Sequence, residues 1–140
     1  MDTTQLYAIF RCGDNPAEAK TNLSPHDVVR HIYNYDLGDY RLSPVLITDR
    51  YDDKGNALQD ARATTEDGQS VFEVLIKTSD GLWRKPWCLT FGEDTKAAEA
   101  NFLDSEFRAM RDFGSKGYRG WVVLPNEEYI EHIRWLNRLR

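Results

Sequence analysis

The order of apolar and polar positions gives the elements before any single residue suggests a chemistry. "TTQLYAIFRC" is apolar at Leu6, Ala8 and Phe10 and again at Tyr7 and Ile9, the two-sided pattern of an inner strand. Gly13, Asp14, Asn15 and Pro16 end it. Ser24 as N-cap, Pro25 at the first helical position and Asp27 three residues after the cap open a helix from Pro25 to about Tyr35, with Val28, Val29, Ile32 and Tyr33 on its buried side. "YRLSPVLITDRY" reads as a second strand, placed at a sheet edge because Pro44 has no N–H to give a ladder. Asp49 to Gln69 is a polar connection or hairpin arm with turn chemistry at Asp53 to Asn56 and at Asp67-Gly68.

The second half repeats the alternation. "SVFEVLIKTS" is a third strand, a tight turn at "SDG" leads into "LWRKPWCLTF" as the fourth, and Asp94 or Thr95 caps a helix over about Lys96 to Phe113. "GYRGWVVLP" is a fifth strand. "NEEYIEHIRWLNRLR" closes the chain as an amphipathic helix with Tyr129, Ile130, Ile133, Leu136 and Leu139 on one arc and Trp135 at its border. The expected architecture is α+β: a single domain covering 1–140, a mostly antiparallel five-stranded sheet with three helices packed on it, in the order β-α-β-β-β-α-β-α.

In "LWRKPWCLTF" the strand period puts Trp83, Lys85, Trp87, Leu89 and Phe91 on one face and Leu82, Arg84, Pro86, Cys88 and Thr90 on the other. Aromatic strand faces more often turn inward, so the first face is expected to be core, the alternative being an exposed strip. Pro86 argues for an edge strand. The leading end of such a strand, Trp83, Arg84 and Lys85, is a protein-contact surface in composition, because Trp and Arg are enriched at interface hot spots. Trp135, flanked by Arg134 and Arg138, is a second such patch, and an unprotected edge on the fourth strand would also permit a homodimer.

Composition narrows the functions. The 140 residues carry 18 Lys+Arg against 23 Asp+Glu, and residues 1–70 hold the whole excess, with 12 acidic against 7 basic side chains. Such a chain repels phosphate backbones, which disfavours general nucleic-acid binding, and it steers a basic protein partner towards its first half. Asp49, Tyr51, Asp52 and Asp53 form a charged arm suited to such a partner. They do not make a calcium loop: with Gly55 as the invariant glycine, Arg50 takes the first ligand position and Ala61 the bidentate glutamate's. Cys12 and Cys88 are too few for a disulfide framework or a cysteine zinc site, and are expected as buried thiols. No basic leader or long apolar run is present, so the expected setting is cytoplasmic, away from membranes.

Catalytic signals are weak. Glu99 and Glu106 fall on the apolar arc of the long helix, where a half-exposed strip explains them better than an acid/base pair. His26 and His31 are five apart on one helix, unlike the four-residue spacing of helical metal pairs. The glycines of "FGSKGYRGW" lie between a helix and a strand, the reverse of a phosphate loop.

"KGYRGWVVLPNEEYI" and "LYAIFRCG" together resemble parts of small ADP-ribosyltransferases: a Gly-aromatic-X-Gly strand ahead of the catalytic glutamate, and a first strand that carries an arginine. The resemblance implies Arg11 as a dinucleotide contact and Glu127 or Glu128 in the transfer. It covers twenty-odd residues, and the chain between them has neither the Ser-Thr-Ser strand nor the aromatic platform.

The expectation is therefore a small acidic protein-binding domain without catalytic residues, metal or cofactor, which acts by occluding a macromolecular partner as inhibitors, immunity proteins and phage or plasmid counter-defence proteins do. A small NAD-using transferase and a nucleic-acid-binding accessory protein are the alternatives.

Overall fold

The computed structural model describes residues 5–46, 51–56, 62–84, 88–112 and 120–139. Among the described residues six strands, three α-helices and one 3₁₀ turn run in the order β1 (Tyr7–Arg11), the 3₁₀ turn (Pro16–Glu18), β2 (Lys20–Leu23), α1 (Pro25–Asp36), β3 (Tyr40–Pro44), β4 (Ser70–Ile76), β5 (Cys88–Gly92), α2 (Thr95–Asp112), β6 (Trp121–Pro125) and α3 (Asn126–Arg138). The class is α+β, as the patterning indicates. The single five-stranded sheet is replaced by two antiparallel three-stranded sheets, ordered β2-β1-β6 and β3-β4-β5. The chain divides into two compact units, residues 1–32 with 103–140, and residues 33–102.

The extra strand is β2, and its "KTNL" gives no sign of itself because only Leu23 is apolar. Asn22 holds it in place. Its φ of 61° lies in the left-handed region that Asn tolerates. Its backbone N–H donates to Asn126 Oδ1 at 3.4 Å and its own Oδ1 accepts from Asn126 Nδ2 at 2.7 Å. With β2 on one side and β6 on the other, β1 is the inner strand that its two-sided apolar pattern requires.

In the first unit, successive side chains of β1 point to opposite faces. On one face Tyr7 meets Phe107 of α2 edge-on at 4.9 Å. On the other, Phe10 faces Tyr129 and His132 of α3. Ala8, Ile9, Val28, Val29, Ile32, Leu103 and Met110 are fully enclosed, which places three of the four predicted α1 core residues in this unit. The α1 cap forms as expected in part: Ser24 Oγ accepts from the Asp27 backbone N–H at 3.2 Å, while the Asp27 carboxylate takes Arg30 at 3.2 Å.

The arc of α3 is corrected. Ile130 and Leu139, placed on its buried side by spacing, are exposed, and the packed flank turns towards His132, whose ring stacks on Phe10 at 6.0 Å with a 13° interplanar angle. The Tyr129 hydroxyl ties the helix to the 3₁₀ turn by donating to the Pro16 carbonyl at 2.7 Å.

In the second unit β4 is central, and its alternation buries Phe72, Val74 and Ile76 on one face. Tyr33, Tyr40 and Phe102 lie among them in edge-on and tilted contacts 5.3–6.1 Å apart. Pro44 stands at the end of an edge strand, as its missing donor demands. Beyond it, Leu46 bridges Arg62, and in the predicted turn the Asp52 N–H donates to the Asn56 carbonyl at 2.8 Å. A second turn closes with Thr65 N–H on the Gln69 carbonyl, at the other predicted position.

Candidate functional site

The site is built on the face of β3-β4-β5 turned away from Phe72, Val74 and Ile76. Directly opposed residues of an antiparallel pair share a face. Val71 opposes Phe91, Glu73 opposes Leu89, Arg41 opposes Leu75, and Lys77 bridges Trp83, so these eight side chains project to the same side. Leu89 is 62% exposed and Phe91 50%, whereas Thr90 between them is 5% exposed.

This reverses the expected orientation of the fourth strand. The face predicted as core, through Trp83, Leu89 and Phe91, is the outer one, and the Thr90 face is inside. Two contacts cause the reversal. The Thr90 hydroxyl donates to the Ala98 carbonyl at 2.8 Å, which satisfies a polar group inside the fold. Gly92 has no side chain, and a Cβ there would stand 2.5 Å from Ala98 N. The first turn of α2 therefore lies against the small-residue side of β5, and the large apolar side chains face out. Asp94 starts that turn, accepting from the Ala97 N–H at 2.8 Å.

Trp83 is half-buried on this outer face, with the Arg41 guanidinium 4.5 Å from its ring centroid. Such a contact fixes the indole and contributes about 0.5–1 kcal/mol. Arg84 is exposed and pairs with Asp80, and its backbone N–H donates to the Ile76 carbonyl at 2.9 Å, beside the Lys77–Trp83 bridge. The hydrogen bond from the Thr78 hydroxyl holds the Asp80 carboxyl below the usual carboxylate range, with the Leu82 N–H and the charge of Arg84 adding to it. Lys85, and with it Pro86 and Trp87, lies outside the described residues.

The free edge of β5 is partly closed. Val71 exchanges hydrogen bonds with Val45 and Ala63 on the β3 side, so Phe72, Val74 and Ile76 carry the bonds to β5, and the backbone groups of Leu89 and Phe91 point away from the sheet. Asn101 Nδ2 donates to the Phe91 carbonyl at 2.7 Å and covers that position.

The charged arm is more structural than its composition indicates. Asp52 accepts from the N–H groups of Lys54 at 2.9 Å and Asn56 at 2.8 Å, and the Asn56 bond above all lowers its pKa. Asp53 and Tyr51 are exposed beside it, and Asp49 lies outside the described residues. Among the described residues no group of three or more His, Cys, Asp or Glu is placed to hold a metal ion.

In the first unit Trp135 is 51% exposed and stacks on His132 at 6.2 Å, which makes it the outer ring of a row formed by Phe10, His132 and Trp135. Sequence spacing finds Trp135 but misses His132, because the signal is the facing ring of Phe10 on another element. His26 Nε2 lies 2.6 Å from Asp104 Oδ1, and Glu99 and Glu106 are each half-buried, as a partly exposed strip requires. Cys12 is exposed and Cys88 half-buried, so neither is the enclosed thiol expected.

Arg11 and Glu127 are not brought together. Arg11 opposes Trp121 at one end of the β1–β6 ladder, with its guanidinium 5.4 Å from that ring's centroid. Glu127 follows the other end, where Tyr7 opposes Pro125 and Gln5 Nε2 donates to Glu127 Oε2 at 3.0 Å. The ladder between them is about 13 Å long.

No helix among the described residues is long and apolar enough to cross a membrane. The chain matches no protein-family model, no curated protein and no solved structure.

Proposed function

We propose that this chain is a protein-binding domain that acts by occlusion, covering a functional surface of a partner protein with the outer face of β3-β4-β5. One observation carries the proposal: Leu89 and Phe91, two residues apart on β5, project from that face at 62% and 50% exposure, with Val71 opposite Phe91 and Glu73 opposite Leu89. Scattered exposed apolar residues are ordinary, whereas a contiguous group on a rigid sheet face marks an interaction surface. Trp83, held by Arg41, supplies the aromatic anchor common at interface hot spots. Trp135 in the first unit is proposed as an aromatic contact of its own, and the exposed Tyr51 and Asp53 as contacts of the second unit. An inhibitor, immunity or counter-defence protein of this kind needs no catalytic residue.

The test is a tagged capture from a lysate of the source or its host, after nuclease treatment and at high salt, with the wild-type chain and with Leu89→Thr plus Phe91→Thr. The expected result is one stoichiometric protein held by the wild type and lost with the double variant. Equal retention by both would remove the face from the function, and retention abolished by nuclease would point to nucleic acid.

A further inference from the structure

We infer that the partner surface received by the outer face of β3-β4-β5 is basic: an apolar segment flanked by Lys or Arg on the side that lies beyond Gly92. The inference rests on the proposed binding role of that face and adds the chemistry of what binds there.

The apolar patch is small. Three strands about 4.8 Å apart and five residues at about 3.3 Å each give a face of about 10 by 13 Å between outer Cα positions. A standard interface buries about 800 Å² on each partner, so most of the contact must come from the polar surroundings. Those surroundings are acidic. Residues 33–102 hold 13 Asp+Glu against 8 Lys+Arg, and the remainder of the chain holds 10 against 10, so the whole net charge of −5 belongs to the unit that carries the face.

The carboxylates are also placed unevenly around the patch. Thr64 bridges Ser70, Ser70 opposes Gly92, and the turn from Thr65 to Gln69 therefore lies at the same end of the sheet as Glu93 and Asp94. Glu66, Asp67 and Glu93 are exposed at that end, as is Asp94, whose carboxylate caps α2, against one exposed lysine, Lys96. At the other end the charges are mixed, with Lys77 and Arg84 beside Asp80. A partner whose apolar residues rest on Leu89 and Phe91 and whose basic residues reach past Gly92 meets opposite charge there, which speeds encounter and fixes orientation. A second copy of this chain brings the same net −5 to the contact, and a phosphate backbone brings more negative charge.

The test uses the full ¹⁵N-labelled chain and three synthetic strand peptides in which Leu alternates with Lys, with Ser or with Glu. The Leu/Lys peptide is expected to shift the amides of Leu89 to Glu93 and of Thr65 to Gln69, and to bind about ten-fold or more tightly than the Leu/Ser peptide. That advantage should fall with added salt and with Glu66→Lys plus Glu93→Lys, both at exposed positions, and all binding should be lost with Leu89→Thr plus Phe91→Thr. Equal or tighter binding of the Leu/Ser or Leu/Glu peptide at the face would overturn the basic partner and leave the binding face standing. Amide shifts that grow with protein concentration alone would assign the face to a second copy and overturn the inference. Failure of all three peptides to move the face would overturn it as well, and the capture experiment above would then decide separately whether the face binds anything.

Discussion

The Thr90 hydroxyl donates to the Ala98 carbonyl at 2.8 Å, and through that bond the middle of β5 is tied to the first turn of α2. Thr90→Val keeps the shape and removes the donor. The expected loss is about 1–2 kcal/mol, from the bond itself and from an enclosed carbonyl left with one partner fewer. Urea unfolding should show it as a lower midpoint at an unchanged slope, and Thr90→Ser should retain part of the stability.

Gly92 supports the same contact by steric means. A Cβ at this position would meet Ala98 N at 2.5 Å and Ala97 C at 2.8 Å, and both are backbone atoms that cannot swing aside. Gly92→Ala is expected to destabilise by about 1–3 kcal/mol or more. A neutral effect in thermal unfolding would mean that α2 does not lie this close to β5.

Leu89→Thr with Phe91→Thr is expected to leave the fold intact. Both side chains face solvent, and Thr keeps the strand preference, so the combined change should stay within about 1 kcal/mol. A fall of several kcal/mol in the double variant would place the two residues in a core.

The tryptophans separate by role. Trp121, on β6 opposite Arg11, is buried, and Trp121→Ala should cost about 3–5 kcal/mol. Trp135→Ala removes an outer ring stacked on His132 and should cost at most about 1.5 kcal/mol. Parallel chemical unfolding of the two variants measures the difference directly.

Asp80 and Asp52 should titrate below the ordinary aspartate value in a carbon-detected NMR titration. Their folded pKa values are depressed, so what they contribute to stability is present above the unfolded value and is lost as pH falls through the folded one. Thr78→Val removes the main cause at Asp80 and should move its midpoint up, with Asp52 unchanged.

Much of the architecture is legible in the sequence because local chemistry specifies it. Ser24 and Pro25 start α1, Asp94 starts α2, and the alternation in "SVFEVLI" makes β4 a half-buried strand. β2 is hidden because only Leu23 of its four residues is apolar, and its hydrogen bonds to Asn126 come from 104 residues away. The facing of β5 is misread for a related reason. Aromatic and aliphatic side chains at Trp83, Leu89 and Phe91 favour the interior by hydrophobicity, and what overrides them is a threonine with a waiting acceptor and a glycine that admits a helix backbone. Neither signal is local in sequence. Of the predicted contact residues, Trp83 lies on the outer face, Arg84 is drawn into a turn with Asp80, and Asp52 spends its carboxylate on its own loop.

The most direct measurement is site-specific photocrosslinking in cells of the source or its host, with a benzophenone side chain at Leu89 and, as a control, at Tyr35, which is 69% exposed in the same unit. A single discrete adduct from Leu89 and none from Tyr35 is the predicted result. No adduct at Leu89, or the same set of products from both positions, would contradict the assignment of the β3-β4-β5 outer face as the binding surface.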